Sequence, residues 1–267
     1  MAKLIYIGGY GRSGSTLLEY LLTAHPDVVA CGEVERHLRS FGRKKICTCG
    51  RPMQDCPVWA DFRHKTGRVK GLDHVQLTLA LLEHVSPRYK VMVDSSKTAG
   101  SPAFDLFPLW RKLGADFLLV QIVRDARGVS WSAMRTTLRP KKKRKDSRLT
   151  AALRATSGWM AANLACEAFR WRHPENTMRV YYEDLVRAPE KVVGEILERV
   201  ALAPPVSLDN ITVNDNRHQL HGNAMRFKPL LPSGIKEDVA WKTAMPKLYQ
   251  RLVSVLCWPL LRRYRYV

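Results

Sequence analysis

The stretch Gly9-Tyr10-Gly11-Arg12-Ser13-Gly14-Ser15-Thr16 stands between two segments of different periodicity. Before it, Lys3-Leu4-Ile5-Tyr6-Ile7-Gly8 is a short β-branched and aromatic run, the pattern of a buried strand. After it, residues 15–25 carry Leu17, Leu18, Leu21 and Leu22 at helical spacing. In a strand, turn and helix of this kind, glycines let backbone N–H groups wrap an anion while the helix N-terminus adds positive potential. The stretch therefore predicts a phosphate-binding loop whose contacts are Gly11, Arg12, Ser13, Gly14, Ser15 and Thr16. It approaches the triphosphatase pattern G-x-x-x-x-G-K-[ST], but Ser15 stands where that pattern has lysine, and the basic residue has moved forward to Arg12. Because that lysine works beside the β and γ phosphates and its neighbouring hydroxyl holds Mg²⁺, the displacement argues against the rival reading of a nucleotide kinase or related phosphotransferase.

Working outward, residues 28–30 read as a second strand leading into Cys31-Gly32-Glu33, so Glu33 falls just past a strand end, where open α/β sheets keep their active groups. Residues 75–85 are helical in pattern, and 90–93 make a third strand ending at Asp94-Ser95-Ser96-Lys97. A helix is expected within 102–113, with Pro102 near its first turn. Residues 116–123 are the clearest buried strand and stop at Arg124-Asp125. Helices at 127–135, 149–172 and 189–200 and a strand at 177–182 complete the alternation. The fold class is thus α/β, a P-loop-type three-layer α/β/α arrangement with a central, mostly parallel sheet, forming a single domain over 1–267. Two parts stand outside this scheme. Residues 40–71 read as an irregular, cysteine-rich excursion with little regular structure, and the basic loop 139–148 cannot pack because adjacent like charges repel.

With 44 Lys and Arg against 24 acidic residues, the formal net charge of +20 implies a polyanionic or membrane-surface partner without naming it. A basic nucleic-acid-binding protein is the other-class alternative, but no zinc-finger spacing, RNP-like aromatic motif or separate basic arm supports it, and no nucleic-acid partner is expected. The sequence has no cleavage-site pattern and no transmembrane segment, so a cytoplasmic chain that keeps its N-terminus is expected; a peripheral membrane contact stays open through the apolar-then-basic 252–263, for which core packing is the primary reading. Without a secretory signal, Cys31, Cys47, Cys49, Cys56, Cys166 and Cys257 are expected as reduced thiols. The crowded Cys47, Cys49 and Cys56 read as a thiol-lined turn, the alternative being a structural zinc site with Cys31 as the fourth ligand.

A second anion site is carried by Arg124-Asp125-Ala126-Arg127-Gly128-Val129-Ser130-Trp131-Ser132, where Arg124 at a strand end and Ser132 on the next helix can converge on one group. With the phosphate loop, this segment resembles the sulfotransferases that use 3′-phosphoadenosine 5′-phosphosulfate (PAPS), in particular the bacterial small-molecule and tyrosylprotein branch. The resemblance implies that the loop grips the 5′-phosphate, that Arg124 and Ser132 bind the ribose 3′-phosphate, and that the product is 3′-phosphoadenosine 5′-phosphate. It extends to Ala24-His25-Pro26-Asp27-Val28 with Cys31-Gly32-Glu33, implying Glu33 as general base, and to Val93-Asp94-Ser95-Ser96-Lys97, implying Lys97 beside the transferring group. Tyr181-Tyr182-Glu183-Asp184-Leu185 is similar to the family turn whose tyrosine lies beside the adenine, here Tyr182. His221-Gly222-Asn223-Ala224-Met225-Arg226-Phe227 resembles the Gly-Asn-x-x-Arg element, implying cofactor contacts at Gly222, Asn223 and Arg226. Other branches place a histidine base soon after the lysine; here Thr98-Ala99-Gly100 follow Lys97, and the glutamate branch fits better. The expected reaction is in-line sulfuryl transfer to a hydroxylated small molecule, lipid or carbohydrate, with Arg12 and Lys97 neutralising the leaving oxygen, Ser96 and Thr16 as orienting donors, and no metal required.

Overall fold

In a computed structural model, β1 (Lys3–Gly8) is buried because its side chains serve both faces of a sheet: Leu4 and Tyr6 join one apolar cluster, Ile5 and Ile7 the other. The structure describes residues 1–38, 45–66, 71–97, 106–137, 147–204, 207–208, 216–222, 224–227 and 234–267. After β1 come α1 (Ser15–Leu22), β2 (Val28–Gly32), α2 (Glu35–Leu38), α3 (Trp59–Thr66), α4 (His74–Val85), β3 (Val91–Asp94), α5 (Leu106–Leu113) and β4 (Phe117–Val123). The chain continues through α6 (Ala126–Thr137), α7 (Arg148–Arg172), β5 (Thr177–Tyr181), α8 (Tyr182–Arg187), α9 (Pro189–Arg199), α10 (Trp241–Ala244) and α11 (Lys247–Arg263).

The five strands form one sheet in the order β2-β3-β1-β4-β5, every neighbouring pair parallel. Residues of α1 and α9 pack with Ile5, Ile7, Val120 and Ile122 on one face; residues of α3, α4 and α5 pack with Leu4, Tyr6, Met92 and Leu119 on the other. This is the expected three-layer arrangement. Because the chain crosses from β3 to β4 over β1, the C-terminal ends of β3, β1 and β4 lie side by side, the position where such sheets open a ligand crevice. Gly8, Asp94 and Val123 end those strands, so the three predicted motifs are delivered to one edge.

The excursion is more ordered than its composition suggests. Trp59–Thr66 is a helix, and Met53–Asp55 is a short 3-10 turn; buried Trp59 and Phe62 anchor this segment in the core. Its apolar anchors are too few for a sequence period to stand out, which is why the reading of little regular structure fails there. Most of the basic loop, residues 139–146, lies outside the described residues; Ser147 caps α7 by accepting from Thr150 N, and Arg148 opens that helix. In α11, Val253, Cys257, Leu260 and Leu261 are buried, as expected for a packed last helix, while Val255 and Trp258 stay exposed. Among the described residues no helix is long and apolar enough to cross a membrane.

Candidate active site

The loop after β1 is shaped by two glycines that no other residue replaces. Gly9 has φ 109° and Gly14 φ 97°, both in the region that favours glycine, and an added Cβ would meet the Ile122 carbonyl oxygen at 2.5 Å or the Tyr182 ring at 2.7 Å. Arg12 also takes positive φ, 77°, a conformation that the surrounding loop must hold in place. Gly14 caps α1 without any side-chain hydrogen bond, and the first turn carries no acidic residue, so its positive end is not neutralised from within the helix. Ser13 is fully buried, and its hydroxyl has no hydrogen-bond partner among the described residues. A buried hydroxyl left in that condition is what an anion-binding loop holds ready for its ligand.

Arg124 reaches this loop from the end of β4. Its Nη1 donates to the Arg12 carbonyl at 3.0 Å, its Nη2 donates to the Asp238 carbonyl at 2.7 Å, and its guanidinium lies 4.3 Å from the centre of the Tyr182 ring. The Tyr182 hydroxyl accepts from Asp238 N at 3.2 Å, so this ring forms a wall between Gly14 and the guanidinium. Asp238 also pairs through its carboxylate with Arg124 at 3.3 Å and with Arg135 of α6 at 2.8 Å. An anion thus already bridges the two arginines. Ser132 is half-buried on the same helix, between Arg124 and Arg135 in sequence.

The third wall comes from the ends of β2 and β3. Lys97 Nζ donates to Glu33 Oε1 at 2.5 Å, both side chains nearly buried. The other carboxylate oxygen lies 2.7 Å from Arg36 Nε, within ion-pair range but outside hydrogen-bond alignment, so among the described residues Oε2 accepts no hydrogen bond. Burial pushes the Glu33 carboxyl up, but Lys97, then Arg36 and His221, outweigh it and hold it below the usual carboxylate range. Lys97 itself adopts φ 68°, with its carbonyl held by the Tyr6 hydroxyl at 2.8 Å. Ser96 donates to Asp94 Oδ1 at 2.5 Å and accepts from Glu35 N at 3.0 Å, so its hydroxyl shapes the turn that presents Lys97.

The fourth element, Ala224–Phe227, is a 3-10 turn in which Arg226 Nη1 donates to the Gly222 carbonyl at 2.8 Å. Gly222 has φ 131°; Asn223 lies outside the described residues. Arg217, stacked on the Tyr20 ring of α1 at 4.2 Å, donates to the Arg226 carbonyl and so ties this turn to the helix that follows the phosphate loop. Gly11 and Thr16 are half-buried, Ser15 is buried and Arg12 is exposed, as a loop facing a crevice requires.

A family model described as the sulfotransferase family matches residues 5–204, a span that contains the loop, Glu33, Lys97, Arg124, Ser132 and Tyr182. The chain belongs to that family. A curated relative, the protein-tyrosine sulfotransferase of Drosophila melanogaster, is 30% identical over 205 residues, 73% of this chain and 37% of that protein, so this chain spans about a third of its relative's length. Among solved structures, a sulfotransferase domain from the curacin biosynthetic pathway superposes with a TM-score of 0.59 at 18% identity, covering 96% of this chain and 97% of that one. A mouse sulfotransferase complexed with PAP does so with a TM-score of 0.57 at 12% identity, covering 98% and 84%. At those identities the likeness establishes the fold.

The cleft depends on two acidic residues with no signal of their own in the sequence. Glu19, on α1 one turn after Ser15, is fully buried, accepting from Gly32 N at 2.7 Å and from the Ser95 hydroxyl at 2.9 Å, and so locks the ends of β2 and β3 behind Glu33 and Lys97. Burial pushes its carboxyl up to about 7. Asp238, the internal partner of Arg124, lies in a stretch whose sequence shows no readable chemistry. His221 lies beside them: burial first, then the Lys45 and Arg36 cations, push it down to about 4, which keeps a neutral imidazole near Glu33.

Proposed function

We propose that this sulfotransferase moves the sulfuryl group of PAPS onto an acceptor hydroxyl in the crevice above β1. The observation that carries the reading is the Arg124 guanidinium donating to the Arg12 carbonyl, because it joins the two anion sites that one bisphosphorylated nucleotide needs. In this reading the N–H groups of Gly11 to Thr16 and the Ser13 hydroxyl take the 5′-phosphate, and Arg124 and Ser132 take the 3′-phosphate, which displaces the Asp238 carboxylate from the arginines. Tyr182 shapes the wall between them, and in this reading Gly222, Asn223 and Arg226 supply further cofactor contacts.

The acceptor oxygen attacks sulfur in line; the new S–O bond forms as the bond from sulfur to the phosphosulfate bridging oxygen breaks. Glu33 receives the acceptor's proton at Oε2, the oxygen without a hydrogen bond, while Lys97 and Arg12 offset the negative charge gathering on the leaving oxygen. Because Lys97 holds Glu33 ionised, the acidic limb of turnover falls below the ordinary glutamate range of about 4.3. The acceptor belongs to the hydroxyl class as a small molecule, lipid or carbohydrate, and a screen with radiolabelled donor assigns it. The direct test is a thermal-shift comparison of 3′-phosphoadenosine 5′-phosphate with its 3′-dephosphorylated analogue, since a ligand of the folded state raises stability by mass action. The bisphosphate is expected to stabilise far more; equal shifts would remove the 3′-phosphate site from the proposal.

A further inference from the structure

Cys47, Cys49, Cys56 and His218 bring four ligand atoms within 4.8 Å of one another. Cys47 Sγ stands 3.6 Å from Cys56 Sγ and 3.8 Å from His218 Nδ1, and Cys56 Sγ stands 3.2 Å from the same nitrogen. A tetrahedral zinc with bonds of about 2.3 Å to sulfur and about 2.0 Å to nitrogen sets its sulfur corners roughly 3.8 Å apart and its sulfur and nitrogen corners roughly 3.5 Å apart. Cys47, Cys56 and His218 stand close to three of those corners, and Cys49 Sγ lies within 4.8 Å of each of them. A disulfide explains the arrangement poorly: its sulfurs would stand at about 2.05 Å, and it would give His218, in contact with both sulfurs, nothing to do.

The backbone around the sulfurs is built for thiolates. Residues 46–52 form a tight antiparallel turn, with Cys47 N donating to the Arg51 carbonyl at 2.8 Å, Gly50 N donating to the Cys47 carbonyl at 3.0 Å, and Gly50 at φ 83°. The N–H groups of Cys49, Arg51 and Trp59 point at the sulfurs of Cys47, Cys49 and Cys56 respectively. Such donors take up sulfur lone pairs and fix ligand orientation around a metal. His218 is fixed as firmly: its N donates to the Ala30 carbonyl at 2.8 Å, and its carbonyl accepts from Trp59 Nε1 at 2.6 Å. Cys47, Cys56 and His218 are buried and Cys49 half-buried.

We propose that Cys47, Cys49, Cys56 and His218 hold a structural zinc ion through three thiolates and the imidazole Nδ1. With four protein ligands the site is closed, so the metal takes no part in sulfuryl transfer. Its effect is mechanical. Residues 216–218 lie along β2, Arg217 bridged to Ala30, and lead into the Gly222 and Arg226 turn; the metal pins the cysteine loop to this segment at the edge of the Glu33 wall. The sequence reading held a thiol-lined turn first and a zinc site with Cys31 as fourth ligand as its alternative; the geometry puts His218 in that fourth place, while Cys31 lies in the neighbouring core.

The test is the metal content of the full-length chain, purified without chelator or added metal and measured by elemental mass spectrometry. One zinc per chain is expected, lost in His218→Ala and Cys49→Ser and kept in Cys31→Ala. Cobalt exchanged into the wild-type protein is expected to give the visible ligand-field bands of a tetrahedral thiolate site, which requires no variant to fold. Wild-type protein without stoichiometric zinc and without those bands on cobalt addition overturns the proposal, and so does an intact mass two hydrogens short, which reports a disulfide instead. Zinc retained in folded His218→Ala overturns the assignment of the fourth ligand.

Discussion

The phosphate loop builds its cradle from eight consecutive residues, Gly9 to Thr16, whereas the cysteine cluster joins Cys47 to His218 across 171 positions of chain. In the loop the groups proposed to take the ligand are backbone N–H and the Ser13 hydroxyl, which has no hydrogen-bond partner among the described residues, fixed by glycine conformations that the local sequence permits. In the cluster they are side-chain sulfurs and a ring nitrogen that meet only because 216–218 runs along β2. One site is written locally and is proposed to serve chemistry; the other is assembled by topology and is proposed to serve the scaffold. Perturbing the first is therefore expected to change binding and turnover with little effect on melting, and perturbing the second to change melting first.

The sharpest break in that comparison is Glu33→Gln, expected to lower turnover by ~10²–10⁴-fold while leaving nucleotide affinity and zinc content near wild type; turnover that survives would move the base elsewhere, with His221 the neighbour to examine next. Glu19→Gln tests the ground between the two regions. With a carboxyl at about 7 in the folded protein against 4.5 for an ordinary glutamate, Glu19 keeps a proton between those values that the unfolded chain has lost. Stability contributed by that proton is full at low pH and declines as pH rises through the window, by roughly 3 kcal/mol. The variant is expected to flatten this slope in melting curves taken across that range; an unchanged slope would show that Glu19 stays ionised.

Arg124→Ala is expected to weaken 3′-phosphorylated nucleotide by about 2 kcal/mol and its 3′-dephosphorylated analogue by much less, as read by titration calorimetry. Equal losses would mean that Arg124 mainly braces the loop through the Arg12 carbonyl. The smallest effect belongs to the scaffold side: Trp59→Phe removes the donor to the His218 carbonyl and should cost about 1 kcal/mol, a drop of roughly 2–4 °C in Tm, with nucleotide affinity unchanged.

Much of the fold was legible because each strand is a buried run with an abrupt end. Residues 116–123 anticipate β4 to within one residue, and Arg124 follows directly because nothing apolar remains to pair. Glu33 and Arg124 were legible for the same reason, since polar residues just past strand ends have one edge of the sheet to occupy, whereas Lys97 was singled out by the family resemblance. Asp238 and His218 were not, because each stands in a stretch with no period, and each gains its meaning from a partner more than 100 residues away.

By itself, the order of residues determined the parallel α/β architecture, the glycine-rich loop between β1 and α1 and the carboxylate and lysine past neighbouring strand ends, since period, glycine placement and strand termination are local properties of the chain. Only the tertiary structure decided that Arg124 would rest on the loop's own carbonyl, that Asp238 would bridge it to Arg135, and that His218 rather than Cys31 would meet the three thiols. Those pairings follow from which strand lies beside which, and neighbouring in a sheet is settled by the packing of the whole chain rather than by any stretch of it.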